Sequence, residues 1–330
     1  MDSTPAVAAQ AAEAKRASRS HARMHWLMLV ATFCWAGNMV ALKDAMEGFS
    51  ALALALLRVA GAAIIYLALF LFGRRPFPWR ITARAWPTLV LLAMAGVTFN
   101  QLFFIGGLAR SSVAHAGLIV ALGPIMVLVL SCLMRLEALT VNKFLGMLIS
   151  FGGVAVLTTG KAGRLNGGHV VGDLILLAAS AVFAYYTILV KEVVDRYDAL
   201  TLNTLAYAIG LPLLLPFTTR ALLEVRWQMV PLHSWWGLGF AILLGSVVPY
   251  LIFAVVMSEL TAARVAAFAY IQPIIATGLG IWLLHERLTA KVVVGGILIL
   301  AGVYLTEWER GEERAAAQSG ERKLGVGSRQ

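Results

Sequence analysis

The sequence predicts an all-α membrane protein of ten transmembrane helices, built as two inverted repeats of five helices each. Three observations predict it. First, 60% of the 330 residues are hydrophobic and only 13% are charged, with a mean hydropathy of +0.81. A water-soluble core cannot hide that much apolar surface, so lipid must be the solvent. Second, ten apolar runs long enough to span a bilayer follow one another, at 25–42, 50–72, 86–108, 112–134, 142–159, 172–190, 200–219, 235–257, 263–284 and 291–308. The runs lack the alternation of strands, and helices satisfy their own backbone in hydrocarbon. Third, Pro124, Ile125, Glu137, Leu139, Thr140, Gly146, Gly153 and Val154 recur as Pro273, Ile274, Glu286, Leu288, Thr289, Gly295, Gly302 and Val303, all 149 residues later. Each copy reads as an apolar helix, a Glu-x-Leu-Thr turn and a second apolar helix. Five spans per half is an odd number, so the second copy enters the membrane upside down.

The net charge of +10 points to nucleic acid only if its placement is ignored. With the N-terminus in the cytoplasm, 18 Lys and Arg residues fall in inside segments, 8 fall outside, and Arg58 lies within a span. That bias predicts both termini in the cytoplasm and a lipid bilayer, not nucleic acid, as partner. The repeats are expected at 25–160 and 172–308, joined by a Gly-rich linker at 161–171. A polar, Ala-rich leader at 1–24 and a charged tail at 309–330 are expected to be disordered. A cleaved signal peptide would remove the first span, which the duplication requires. Cys34 and Cys132 both fall in spans and read as structural thiols. No nucleotide-binding loop, metal-ligand cluster or cofactor motif is present, so none is expected.

In chain order, the first span carries Trp35-Ala-Gly-Asn38 and ends at Lys43, and a shift of 148 pairs Trp35 with Phe183, Asn38 with Tyr186 and Lys43 with Lys191 in the sixth. The second span carries Arg58, which either holds neighbouring carbonyls or faces a wet cavity, since an isolated arginine in lipid is costly. Its counterpart 149 residues on is Tyr207. The third span holds Asn100 and Gln101, whose counterparts in the eighth are Pro249 and Tyr250. Polar groups within a span must find partners, whether another helix or a solute. His115, after the Arg110-Ser111-Ser112 turn, is either a hydrogen-bonded structural residue or a group for proton coupling. Pro124 and Pro273 sit mid-span in the fourth and ninth spans, where proline kinks a helix and frees a carbonyl. Glu137 and Glu286 each lie three residues before a threonine placed to cap the next helix, Thr140 or Thr289. Arg135, His285 and Arg287 are at hand to pair with them. Tyr185 and Tyr186 in the sixth span and Tyr270 with Gln272 in the ninth add aromatic and amide groups, and Tyr270 lies too far inside its span to read first as an interfacial anchor.

Together, Trp35-Ala-Gly-Asn38, Arg58, Pro124 with Glu137-x-Leu-Thr140, and Pro273 with Glu286-Arg-Leu-Thr289 followed by Gly295 and Gly302 resemble the EamA-type branch of the drug/metabolite transporter superfamily. The resemblance covers the chain apart from its two polar tails. It implies a ten-helix inverted-repeat carrier with a central cavity, working by alternating access, and many such members look like exporters of amino acids and other small metabolites. One feature departs from the small multidrug members, which exchange protons for cations on a mid-span carboxylate: no span here carries an acidic residue in its middle.

The leading expectation is a transporter of a bacterial inner membrane, acting as a monomer or weak dimer on a small solute. The expected binding residues are Trp35, Asn38, Arg58, Asn100, Gln101, His115, Tyr186, Tyr250, Tyr270 and Gln272, with Pro124 and Pro273 as hinges. Arg58 suits a carboxylate, the aromatic rings an apolar side chain or an ammonium, and the amides fix orientation. An amino acid has all three handles, while multidrug, sugar and nucleoside export remain alternatives. An intramembrane enzyme would need paired carboxylates, a metal cluster or a nucleophile with its base at membrane depth, and none is legible. A receptor or scaffold would bind solute without moving it.

Overall fold

The computed structural model describes residues 4–73, 85–134, 140–158, 167–260, 265, 267–302 and 304–305. Among them every regular element is helical. The helices are α1 (Thr4–Ala45), α2 (Ala51–Phe72), α3 (Trp86–Leu108), α4 (Val113–Val120), α5 (Gly123–Leu133), α6 (Val141–Thr158), α7 (Gly167–Val193), α8 (Ala199–Leu223), α9 (Leu232–Glu259), α10 (Gln272–Leu284) and α11 (Ala290–Gly302). Seven stretches are long and apolar enough to cross a membrane: Arg23–Ala45, α2, α3, Val113–Leu130, His169–Val193, α8 and α9. Phe144–Gly153, α10 and α11 are shorter apolar helices at the expected fifth, ninth and tenth spans. The protein is thus a multi-pass membrane protein. The ninth span falls short because its helix starts only at Gln272, leaving 13 continuous residues.

Local chemistry sets the ends. Ser50 caps α2 by accepting from the Ala53 N–H, and Asp198 caps α8 by accepting from Leu200 and Thr201. α1 runs from Thr4 to Ala45, and its first half is Ala-rich, in line with alanine's high helix propensity. Large apolar side chains such as Trp26, Ile64, Phe72, Trp236 and Ile297 stay exposed, as a lipid-facing surface requires. Neither cysteine forms a disulfide.

The duplication reappears in the packing. α2 lies against α8, its repeat counterpart, and α4 of the fourth span lies against α10 of the ninth. α6 meets α11 in the same way, through four glycines that recur in the sequence: a Cβ on Gly153 would lie 2.7 Å from the Gly295 carbonyl oxygen, and one on Gly302 would lie 2.4 Å from that of Gly146. Ser150 Oγ donates to the Ile299 carbonyl at 3.0 Å across this contact. Small residues bring the backbones together where lipid supplies no hydrophobic drive. α1 packs on α9 and α10, and α7 on α3 and α5.

Two apolar clusters form the interior. One holds Met24, Met28, Tyr66, Leu92 and Phe253; the other holds Leu42, Phe49, Leu54, Ile105 and Ile119. α3 and α9 each contain one π-helical turn, Met94–Phe99 and Leu243–Val247, at positions 149 residues apart. A π turn shifts the hydrogen-bond register and releases backbone carbonyls, often beside functional groups.

Candidate functional site

A cavity of about 540 Å³ lies between the two halves, in the size range of small-molecule sites. α1 lines it with Met28, Thr32, Trp35 and Asn38, spaced three and four apart on one helical face. α2 adds Arg58; α3 adds Asn100, Gln101 and Phe104; α7 adds Ser180, Phe183, Thr187 and Lys191; α9 adds Tyr250 and Phe253. Gly123, Pro124 and Gln272 complete the wall. Lys191 and Glu192, both exposed, stand at its margin, so the cavity reaches the surface at the end of α7.

Arg58 is only 2% exposed. The π turn of α9 holds it: Nε donates to Ser246 Oγ at 2.8 Å and Nη2 to the Gly245 carbonyl at 2.7 Å. Tyr66 Oη donates to the neighbouring Ser246 and Val247 carbonyls at 3.2 and 3.0 Å. Nη1 of Arg58 has no partner, and neither do Asn38 Oδ1 and Gln101 Oε1. Three residues that border the cavity thus hold buried polar atoms with no partner: the Nη1 amino group of Arg58 and the amide oxygens of Asn38 and Gln101. Asn100 is occupied, donating from Nδ2 to Tyr250 Oη at 3.0 Å.

Aromatic rings form the second feature. Trp35 meets Phe183 and Tyr250 edge-on, with centroids 6.0 and 5.9 Å apart, and Phe253 at a tilt. Tyr186 stacks on Phe253 at 6.1 Å behind this wall. Its ring fills the space left by Gly96 in the π turn of α3, where a Cβ would lie 2.4 Å away. The equivalent Gly245 makes the same allowance for Asn38, the repeat counterpart of Tyr186. Gly96→Ala is accordingly expected to displace Tyr186 and to lower unfolding stability by about 1–3 kcal/mol, the usual cost of overpacking, measured by thermal unfolding in detergent.

Of the residues expected at a site, Trp35, Asn38, Arg58, Asn100, Gln101, Tyr250 and Gln272 border this cavity. Tyr186 supports it from behind, and His115 stands elsewhere, with Nδ1 2.9 Å from Asp173 Oδ2. Tyr270 closes a short 3-10 turn, Ala267–Tyr270, and its side chain lies outside the described residues, as does Glu137. The prolines do more than kink. α4 stops at Val120 before α5 starts at Gly123, and α10 starts at Gln272, so Pro124 and Pro273 each sit in the first turn of a new helix. Proline suits that turn because its missing N–H is not needed there. Both new helices begin at the cavity wall, which brings the partial positive charge of two helix N-termini to it. Glu286 accepts from the N–H groups of Val113 and Ala114 at 2.8 and 3.1 Å, capping α4 of the other half rather than pairing with a neighbour in its own turn. Thr289 caps α11 as expected, accepting from Val292.

Sequence reasoning missed Thr32, Thr187 and Phe253. The spacing of Met28, Thr32 and Trp35 was a usable signal for the first, whereas a phenylalanine in an apolar run carries none.

Comparison with known proteins agrees with this architecture. An uncharacterized transporter from Archaeoglobus fulgidus is 27% identical over 287 residues, covering 86% of this chain and 99% of its own. A probable terminal-alkyne amino-acid exporter from Streptantibioticus cattleyicolor is 25% identical over 303 residues, covering 90% and 98%. A solved crystal structure shares the fold with a TM-score of 0.57 at 16% identity, over 86% of this chain and 96% of that one. Residues 22–159 and 170–308 each match the model of the EamA-like transporter family, so the two halves match it separately and the chain belongs to that family.

Proposed function

We propose that this transporter exports amino acids across a bacterial inner membrane by alternating access, with ten membrane-crossing helices in two inverted repeats and both termini cytoplasmic. The observation that carries the substrate class is the set of unpartnered polar atoms on three residues that border one cavity, atoms that a solute reaches once these side chains turn toward it. A zwitterion complements all three: its carboxylate takes the Arg58 Nη1 donor, and its ammonium donates to Asn38 Oδ1 and Gln101 Oε1. The helix N-termini at Gly123 and Gln272 favour the carboxylate further, and Trp35, Phe183, Tyr250 and Phe253 receive the side chain. The Streptantibioticus relative, named as a probable exporter of an amino acid, supports the same class.

Direction follows from where the cavity opens. Its margin at Lys191 and Glu192 lies at the end that the charge bias assigns to the cytoplasm, so this conformation suits loading from within. The test is efflux of a panel of amino acids from proteoliposomes at equal pH on both sides. Saturable efflux above empty liposomes is the expected result. Transport of sugars, nucleosides or cationic drugs with no amino acid moved would overturn the substrate class, and binding with no flux of any solute would favour a receptor.

A further inference from the structure

The end of the molecule opposite the cavity mouth is closed by a polar network around residues 111–115. Its geometry starts from two glycines. A Cβ on Gly107 would lie 2.9 Å from the Gly172 carbonyl oxygen, and a Cβ on Gly172 would lie 2.6 Å from the Arg110 carbonyl carbon. The end of α3 and the start of α7 thus touch backbone to backbone, which encloses Asp173. Its side chain is 0% exposed. Ser111 Oγ donates to one carboxylate oxygen, and His115 Nδ1 lies 2.9 Å from the other. Lys43 Nζ, from α1, donates to the Ser111 carbonyl at 2.5 Å, and Glu286 holds the first turn of α4. Among the described residues, the remaining charged or titratable neighbours are His169, one turn before Asp173 with its ring 5.6 Å from His115, and Arg110, which turns back to the Gly106 carbonyl. Asp173 escaped notice in the sequence because it sits near the start of its span rather than in the middle.

We propose that Asp173 and His115 form a proton-binding site that locks this end shut. A carboxylate that faces, among the described residues, a hydroxyl and an uncharged imidazole keeps most of its desolvation cost, whereas a proton added to His115 turns the contact into an ion pair. An imidazole nitrogen can take up that proton, and His115, at 14% side-chain exposure, is within reach of the adjacent medium. Acid therefore tightens the lock and alkali loosens it. For an exporter this ties opening to the proton concentration outside; that consequence rests on the exporter reading, whereas the lock does not.

The test reads the closure without any substrate. Val113, fully buried beneath it, and Ala109, exposed beside it, are each replaced by cysteine in a Cys34→Ala, Cys132→Ala background, and labelling by a membrane-impermeant maleimide is followed in proteoliposomes. The ratio of the Val113→Cys rate to the Ala109→Cys rate is expected to rise roughly fivefold as the pH on that side is raised from about 6 to about 9, the direction in which an imidazole gives up its proton. His115→Gln and Asp173→Asn are expected to flatten it, and His169→Asn to leave it unchanged. A flat ratio in the parent, the same slope in His115→Gln, or loss of slope in His169→Asn alone would each overturn the proposal. Should Asp173→Asn fail to fold, His115→Gln decides. A sloping ratio without amino-acid efflux removes the substrate reading only, and good efflux with a flat ratio removes the lock only.

Discussion

Replacing Arg58 with methionine is expected to cut amino-acid efflux by about 10- to 100-fold at subsaturating substrate, the loss of one charged hydrogen bond worth roughly 1.5–3 kcal/mol. Stability should change far less. The substitution leaves the Gly245 carbonyl and Ser246 Oγ without their donor, at a cost of about 1–3 kcal/mol. It also removes a buried cation whose Nη1 amino group has no partner, which offsets part of that cost. Tyr66 still ties the π turn of α9 to α2. Arg58 thus braces the π turn of α9, through Nε to Ser246 Oγ and Nη2 to the Gly245 carbonyl, and keeps Nη1 without a partner. A variant that folds but exports at the parental rate would leave only the brace. Flux in proteoliposomes and thermal unfolding in detergent, measured on one preparation, separate the two roles.

The largest loss of stability is expected from Gly302→Val. Its Cβ would sit 2.3 Å from Ser150 Oγ and 2.4 Å from the Gly146 carbonyl oxygen, and backbone cannot step aside as a flexible side chain can. α6 and α11 must separate, breaking the Ser150 to Ile299 hydrogen bond as well, for a combined cost of about 3 kcal/mol or more. Gly278→Ala is the matched control, since nothing lies within 4 Å of its Cβ position in α10. It should be neutral or stabilising by up to about 1 kcal/mol, because alanine is the better helix former. Equal losses at Gly302 and Gly278 would mean that helix propensity, not close approach, governs these positions.

The glycines also mark where sequence and structure part. Gly146, Gly153, Gly295 and Gly302 were legible as a repeated pattern, and the contact of α6 with α11 supplies the reason for it. Gly96 and Gly245 also lie 149 apart, yet their use, accommodating Tyr186 and Asn38 beside two π turns, shows only once the helices are packed. Arg58, Asn38 and Gln101 stood out in the sequence because polar groups are rare in apolar runs. Phe253 and Thr32 did not, since an apolar or small hydroxyl residue at that depth looks the same whether it faces lipid, a neighbour or a cavity. His115 was singled out by type but belongs to a different place, because its partner Asp173 lies 58 residues away on another helix.

The sequence by itself determined the solvent, the helical class, the duplication and most of the polar groups at the cavity. These follow from composition and spacing, which lipid constrains tightly by forbidding unpaired backbone and unburied charge. Tertiary structure alone decided which polar atoms remain unpaired, that the prolines open new helices instead of bending old ones, and that Glu286 and Asp173 close one end across the two halves. Those depend on which helices touch, and contacts between residues 58 to 188 positions apart leave no periodic trace in the chain.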